Sequence, residues 1–381
     1  MVTLLLVLVI VTALAFDFTN GFHDTANAMA TSIATGALKP RVAVGISAIA
    51  NLVGAFLSTA VAGTISSGLI RGEGHGFQIQ PVWIFAGLCG AILWNLVTWL
   101  LGLPSSSSHA MFGGLIGAVV IGAGAEHINF GTVIGKVLIP AFLSPFVAGL
   151  AALVCTYLIY RLTESFKTDE VHSIFKHGQT ITATLVSLAH GTGDAQKTMG
   201  VITLALIASN LAPAGSTPPV WVIFASGTAI AAGTFTGGWR IIRTVGKGIT
   251  DVQTPQGFAA EASSAVTLLA SSHLGFALST TQVCTGGVVG SGIGRRLAEV
   301  RWGTVGKMAL AWLVTLPAAG IVGGLASWVA GRGPLGEALV FLCLLAGAAA
   351  IVVRSRRNPV HAGNVNDVEP VPSVSPAMAA A

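Results

Sequence analysis

The sequence predicts an all-α integral membrane protein made of two related halves, and three observations carry that prediction. Only 9% of the 381 residues are charged while 53% are hydrophobic. A soluble domain carries about 25% charged residues, so this chain has too few to face water all round. Apolar runs such as Val2–Ala15, Val42–Ala62, Val82–Leu103, Val133–Tyr160, Val220–Phe235 and Leu310–Val329 reach or approach the roughly 20 residues that cross a bilayer as a helix. Two polar signatures interrupt these runs, and both recur later in the same order. The mean hydropathy of +0.80 and the length of the runs predict about 10–12 membrane segments.

The first run, Met1–Ala15, ends in Ala13-Leu14-Ala15, as a signal-peptidase site would. No Lys or Arg precedes it and it leads straight into a polar motif, so it reads as the first membrane helix. That motif is Asn20-Gly-Phe-His-Asp24-Thr-Ala-Asn27-Ala-Met29, and its counterpart is His190-Gly-Thr-Gly-Asp194-Ala-Gln-Lys197-Thr-Met199. A second pair sets Ser106-Ser-Ser-His109-Ala-Met-Phe-Gly113-Gly114 against Ser279-Thr-Thr-Gln282-Val-Cys-Thr-Gly286-Gly287. The offsets are 170 and 173 residues, which excludes a short-period solenoid.

Loop charges give the relative orientation of the halves. Lys39 and Arg41 have an uncharged counterpart in Asn210–Pro219. Arg240, Arg243 and Lys247 stand against Arg71–Gln80, with one Arg and one Glu. Arg295, Arg296 and Arg301 stand against Gly122–Gly131, where only Glu126 is charged. Basic loops favour the cytoplasmic side, so equivalent loops lie on opposite faces, which predicts inverted-topology repeats with broken or re-entrant helices. The resulting division is an N-terminal membrane repeat over 1–160, a cytoplasmic linker over 161–178, a C-terminal repeat plus final helix over 179–353, and a disordered cytoplasmic tail over 354–381.

The same loops account for the net charge of +5, with no need for a nucleic-acid partner. Four cysteines in apolar runs, none in a C-x-x-C pair, argue against a disulfide or zinc framework. No H-E-x-x-H, G-x-S-x-G or kinase pattern is present, which argues against an enzyme, and nothing calls for a cofactor. Gly237–Gly248 lacks P-loop spacing and reads as a solvated cytoplasmic loop.

The motifs carry the chemistry. An Asp at a membrane helix centre costs roughly 2.5–3.5 kcal/mol, and ionisable groups there are functional candidates by default. The Gly and Asn residues of Asp17–Asn27 favour a chain break that would expose backbone groups to a ligand; the plainer reading is a surface loop between two helices. Asp194 and Lys197, three residues apart, share a helix face. They form either an internal ion pair or a site where Asp194 takes a proton or cation and Lys197 an anion. The Ser105–Ser108 and Ser279–Thr281 clusters each open a Gly-Gly helix. Hydroxyls and free N–H groups there suit a tetrahedral oxyanion, with ordinary N-capping as the alternative. His23, His109 and His190 are of a type that titrates near neutral pH, and His190 opens the motif that holds Asp194.

Asn20–Ala28 and His190–Lys197 resemble the paired signatures of the PiT inorganic phosphate transporter family, nearest to its bacterial low-affinity Pit type. Ser106–His109, Ser279–Gln282 and Thr254-Pro-Gln-Gly-Phe-Ala-Ala260 resemble it too, so the likeness spans residues 16–330. It implies a two-fold pseudosymmetric helical fold in the inner (plasma) membrane. It also implies uptake of inorganic phosphate, by proton symport and as a free ion or a neutral complex with a divalent metal as co-substrate. His23 and Gly193 stand where sodium-coupled members carry Asn, Lys197 replaces the second motif's Asn, and Asn51 lies near an expected Glu. These departures weaken the case for sodium. On this reading Ser106, Ser107, Ser108, Thr280 and Thr281 bind phosphate, Asn27, Gln196 and Lys197 complete the site, and Asp24, Asp194 and His190 serve the coupling ion. Sodium coupling and a permease for sulfate or another oxyanion stay as alternatives, and a homodimer is compatible with the sequence.

Overall fold

The computed structural model describes residues 2–70, 79–295 and 300–367, and the regular structure within them is helical throughout. In chain order, α1 (Val2–Ala34) carries the first apolar run and the first motif on one helix, and Pro40 and Pro81 open α2 (Pro40–Gly54) and α4 (Pro81–Leu100), with α3 (Ala60–Gly68) between them. Proline suits a first helical position because its missing N–H is not needed there. The helix α5 (Ser107–Gly122) is followed by α6 (Phe130–Thr132), which runs through a π-helical turn at Val133–Leu138 into α7 (Ile139–Leu162). The second half holds α8 (Thr168–Ala208), α9 (Val220–Thr236), α10 (Trp239–Gly248), α11 (Thr254–His273), α12 (Thr280–Gly294) and α13 (Trp302–Ala330), and α14 (Pro334–Ser355) follows.

The halves pack through each other. The helix α2 lies on α8 and α9 lies on α1, while α7 lies on α12 and α13 on α5. Glycine permits these approaches at backbone distance. A Cβ on Gly113 would sit 2.2 Å from Leu316 O, and one on Gly286 2.2 Å from Pro145 O. One turn on, a Cβ on Gly117 would sit 2.0 Å from Gly320 O and one on Gly290 1.9 Å from Gly149 O. The interior prolines of α7 and α13, Pro145 and Pro317, form a further pair at a similar offset, 172 residues. Large apolar side chains such as Phe142, Leu150, Leu313 and Leu342 point outward, as a lipid-facing surface requires.

Five helices among the described residues are long and apolar enough to cross a bilayer: Leu4–Ala34, Pro81–Leu100, Phe130–Leu162, Trp302–Ala330 and Pro334–Ser355. The pair α9 and α10, bent by 68°, makes a sixth. This is fewer than the 10–12 expected. Pro40–Gly54 and Ser107–Gly122 are apolar helices too short to cross alone, and α8 and α11 carry buried polar side chains that lower their hydropathy.

Three further expectations change. The linker over 161–178 shrinks to residues 163–167, because α8 begins at Thr168 with Asp169 and Glu170 in its first turn, where acidic groups favour a helix. At 41 residues it is about 60 Å long, longer than a bilayer is thick. Gly237–Gly248 is not a loop: its α10 buries Ile241, Ile242 and Val245. Opposite that face, Arg240 donates to Ser355 O at 2.8 Å and Arg243 to Asn364 O at 2.8 Å. The stretch 356–367, expected to be disordered, is therefore held against the helices, with Val365 buried. The rest of the tail (368–381), most of the 71–80 loop and Arg296 lie outside the described residues.

Candidate functional site

Neither Asp motif breaks its helix. Gly21 and Gly191 sit within continuous α1 and α8, and each is where another helix approaches. A Cβ would lie 2.2 Å from Ile230 O at Gly21 and 2.2 Å from Asn51 O at Gly191. Packing, not chain reversal, requires these glycines. The chain breaks instead just before the hydroxyl clusters, between α4 and α5 and between α11 and α12. Gly102 (φ 66°) and Gly275 (φ 72°) take the left-handed conformation there, which glycine adopts without steric cost.

Each break aims a helix start at the two Asp residues. The Ser106 side chain accepts from His109 N at 3.2 Å and Ser279 from Gln282 N at 3.4 Å, so both are N-caps. The next residues are free to reach inward. Ser107 Oγ donates to Asp24 Oδ1 at 3.1 Å, and Thr280 Oγ1 donates to Asp194 Oδ1 at 3.3 Å. The following pair crosses between halves: Asn27 Nδ2 donates to Thr281 Oγ1 at 2.9 Å, and Lys197 Nζ to Ser108 Oγ at 2.5 Å. Lys197 also contacts Asp194 Oδ1 at 2.5 Å and Leu278 O at 3.1 Å. Asn20 donates to Asp194 Oδ2 at 3.1 Å, and His190 Nε2 lies 3.4 Å from it. His23 Nδ1 meets Asp24 Oδ1 at 2.7 Å. All of these residues are buried, Lys197 to 1% exposure.

The arrangement offers an anion three kinds of donor: hydroxyls, an ammonium, and the first amides of two helices, which have no intrahelical acceptor. It also offers a cation carboxylate and imidazole atoms, since one donor atom from each of Asp24, His190 and Asp194 lies within 4.8 Å of the others. The cavity touching Asp194, Lys197 and Thr280 encloses about 10 Å³, room for about one water. The side chains close on one another in this conformation.

The model of the phosphate transporter family matches residues 20–323, an interval that contains both signature pairs. The chain belongs to the phosphate transporter family. It is 55% identical to the "Probable low-affinity inorganic phosphate transporter" of Mycobacterium leprae over 366 residues, covering 95% of this chain and 87% of that one. It is 39% identical to the protein of the same name from Bacillus subtilis, covering 86% of this chain and 97% of that one. A solved structure titled "The sodium-dependent phosphate transporter" superposes with a TM-score of 0.76 at 24% identity, over 85% of this chain and 98% of that one, which shows a shared fold. The named relatives are transporters, in keeping with the lack of a catalytic constellation.

For this family member, most residues singled out from sequence meet in one cluster: Asp24, Asn27, Ser107, Ser108, His190, Asp194, Lys197, Thr280 and Thr281. Gln196 does not join them. Its Oε1 accepts from Val61 N at 2.8 Å and Ala62 N at 3.4 Å, holding the start of α3, because two residues from Asp194 is the far side of a helix. Ser106 is occupied as a cap. His109 is buried with no hydrogen-bond partner for either ring nitrogen among the described residues. Thr98, not singled out, and Ser105 of the first hydroxyl cluster complete the surroundings of His23: its Nε2 lies 3.1 Å from Thr98 Oγ1 and 3.3 Å from Ser105 Oγ. Glu261 was also missed. It accepts from Thr31 and Ser32 at 2.6 Å each, Thr182 at 2.7 Å and Gln179 at 3.1 Å.

Proposed function

We propose that this chain imports inorganic phosphate by proton-coupled symport across the inner membrane, through alternating access between two inverted repeats. One observation carries the reading: two hydroxyl-bearing helix starts, one from each half, converge on a buried Asp24–Asp194–Lys197 cluster. Phosphate takes its place among Ser107, Ser108, Thr280 and Thr281 and the first amides of α5 and α12, with Asn27 and Lys197 completing the shell. The Ser106 and Ser279 caps keep those helix starts in shape.

Coupling follows from the ion pair. For Lys197 to turn toward phosphate it must leave Asp194. A buried carboxylate stripped of its partner is unfavourable by several kcal/mol, so Asp194 takes up a proton as the anion binds. Asp24 and His190 extend the same exchange. The recurrence of the Ser107–Asp24 and Thr280–Asp194 bonds, and of the glycine contacts at offsets of 171 and 173 residues, supports the repeat. Loop charge supports a cytoplasmic C-terminus.

A second reading keeps a divalent metal as cargo. The Asp24, His190 and Asp194 donors would hold the metal of a neutral metal–phosphate complex, with phosphate against the same hydroxyls. Labelled phosphate uptake into proteoliposomes, with pH, sodium and magnesium varied separately, tests both. Proton symport requires uptake driven by an inward proton gradient, stopped by a protonophore and indifferent to sodium. Uptake that needs sodium and ignores the gradient overturns it. A strict magnesium requirement selects the complex, and equal competition by sulfate at every pH selects a general oxyanion permease.

A further inference from the structure

One face of α1 carries a continuous buried polar stripe: Asp17, Asn20, Asp24, Asn27 and Thr31, all at most 5% exposed. The steps of three and four residues keep them on one side of the helix. Asp24 is the middle. Asp17 lies seven residues before it and Thr31 seven residues after it, each about 10 Å along the axis. Thr31 in turn donates to Glu261. The stripe therefore links three buried carboxyls: one on the N-terminal side of the site, one in it, and one on the C-terminal side.

The two outer carboxyls differ in surroundings. Neither oxygen of Asp17 has a hydrogen-bond partner among the described residues, although the side chain is fully buried. On α8 the unpartnered Thr198 hydroxyl lies toward it as a weak donor short of hydrogen-bond geometry, and the charges of Asp194 and Lys197 act on it. A carboxylate with no donor is costly in such a place, whereas the protonated acid is not. Glu261 is as deeply buried but is better supplied with donors. Three hydroxyls and an amide donate to it from α1 and α8, which offsets part of the cost of burying its ionised form and lets it take up and give back a proton; on α12 it faces Cys284.

Building on the proton-coupled reading above, we propose that Asp17 and Glu261 are proton-binding stations on either side of the phosphate site, Asp17 loading the coupling proton and Glu261 releasing it. With the Lys39–Arg41 end of α1 cytoplasmic, Asp17 faces the outer side and Glu261 the inner. Ionisable chains of this kind in membrane helices serve as proton relays. In the closed conformation Asp194 is held by Lys197 and Asn20, so the proton rests on Asp17. It passes to the centre when Lys197 turns to phosphate, and leaves through Glu261 when α1 and α8 separate from α11.

The test compares two activities of the full chain in proteoliposomes, using inorganic phosphate: uptake driven by a pH gradient, and phosphate–phosphate exchange at equal pH. Asn and Gln imitate the protonated acids, and exchange needs no proton release. Asp17→Asn and Glu261→Gln are expected to lose gradient-driven accumulation and keep exchange. In the infrared spectrum at neutral pH, the carbonyl stretch of a protonated carboxylic acid should be present in the wild type and lose the Asp17 component in Asp17→Asn. If Glu261→Gln is not recovered in the membrane, Glu261→Asp is expected to slow gradient-driven uptake without slowing exchange. Wild-type accumulation under a gradient, matched by both variants, overturns the relay while leaving proton symport standing. A wild type that ignores the gradient overturns proton symport and the relay with it.

Discussion

Lys197 is the residue that sets this site apart from a simple pair of matched motifs. Where the first half presents Asn27 to Thr281, the second presents an ammonium to Ser108, and the same ammonium neutralises Asp194. The ion pair was legible because a three-residue spacing puts both charges on one face. Its hydroxyl partner was not, because Ser108 lies 89 residues away. Removing one partner leaves a buried charge uncompensated, so Asp194→Asn should lower stability by about 3–5 kcal/mol, read as a drop in thermal unfolding temperature in detergent. Adding Lys197→Met should restore much of that stability and none of the gradient-driven uptake. A double variant as unstable as the single one would contradict the pairing.

Gln196 shows how helix geometry sorts neighbours in a motif. It stands between Asp194 and Lys197 yet serves α3, so Gln196→Ala should cost about 1 kcal/mol, as loss of a cap does, with phosphate exchange retained.

Among the helices, glycine contacts govern the assembly. Gly286 on α12 and Gly113 on α5 each bring a partner backbone to 2.2 Å from a virtual Cβ. Ala at either position should destabilise by about 1–3 kcal/mol, as overpacking does. Gly306 on α13 meets nothing within 4 Å, so Gly306→Ala should be neutral or gain roughly 0.5–1 kcal/mol from helix propensity. Thermal unfolding of the three variants, compared with wild type, checks the contrast. The paired Gly-Gly signatures were visible in the sequence. Their partners, with Pro145 and Pro317 at a similar offset, were not singled out, since an apolar helix with one proline has no polar residue to mark it.

The packing of helices from one half on those of the other gives the candidate site walls from both. If the repeats are inverted, the loop at Gly36 and its counterpart at Gly215 lie on opposite sides of the membrane. Single cysteines placed at the two positions, in a background where the four native cysteines are Ser, should react with a membrane-impermeant maleimide from opposite faces of oriented vesicles. Labelling of both from one face would rule out the inverted arrangement.

Membrane class, the helical fold and the buried carboxylates could be read directly from the chain. Those features are local: a low count of charges, long apolar runs, and charged residues set within them. The reading failed where meaning depended on contact. Gly21 and Gly191 suggested breaks and turned out to be helix crossings, because a glycine's missing Cβ serves a turn or a close approach equally well. The 161–178 and 237–248 stretches suggested loops because they are polar, and helix caps and buried faces made them helical. Asp17 and Glu261 show the same limit. Sequence places both carboxylates among apolar residues, but which of them finds donors follows from how α1, α8 and α11 meet. Burial makes the presence or absence of those donors decisive for where a proton can rest.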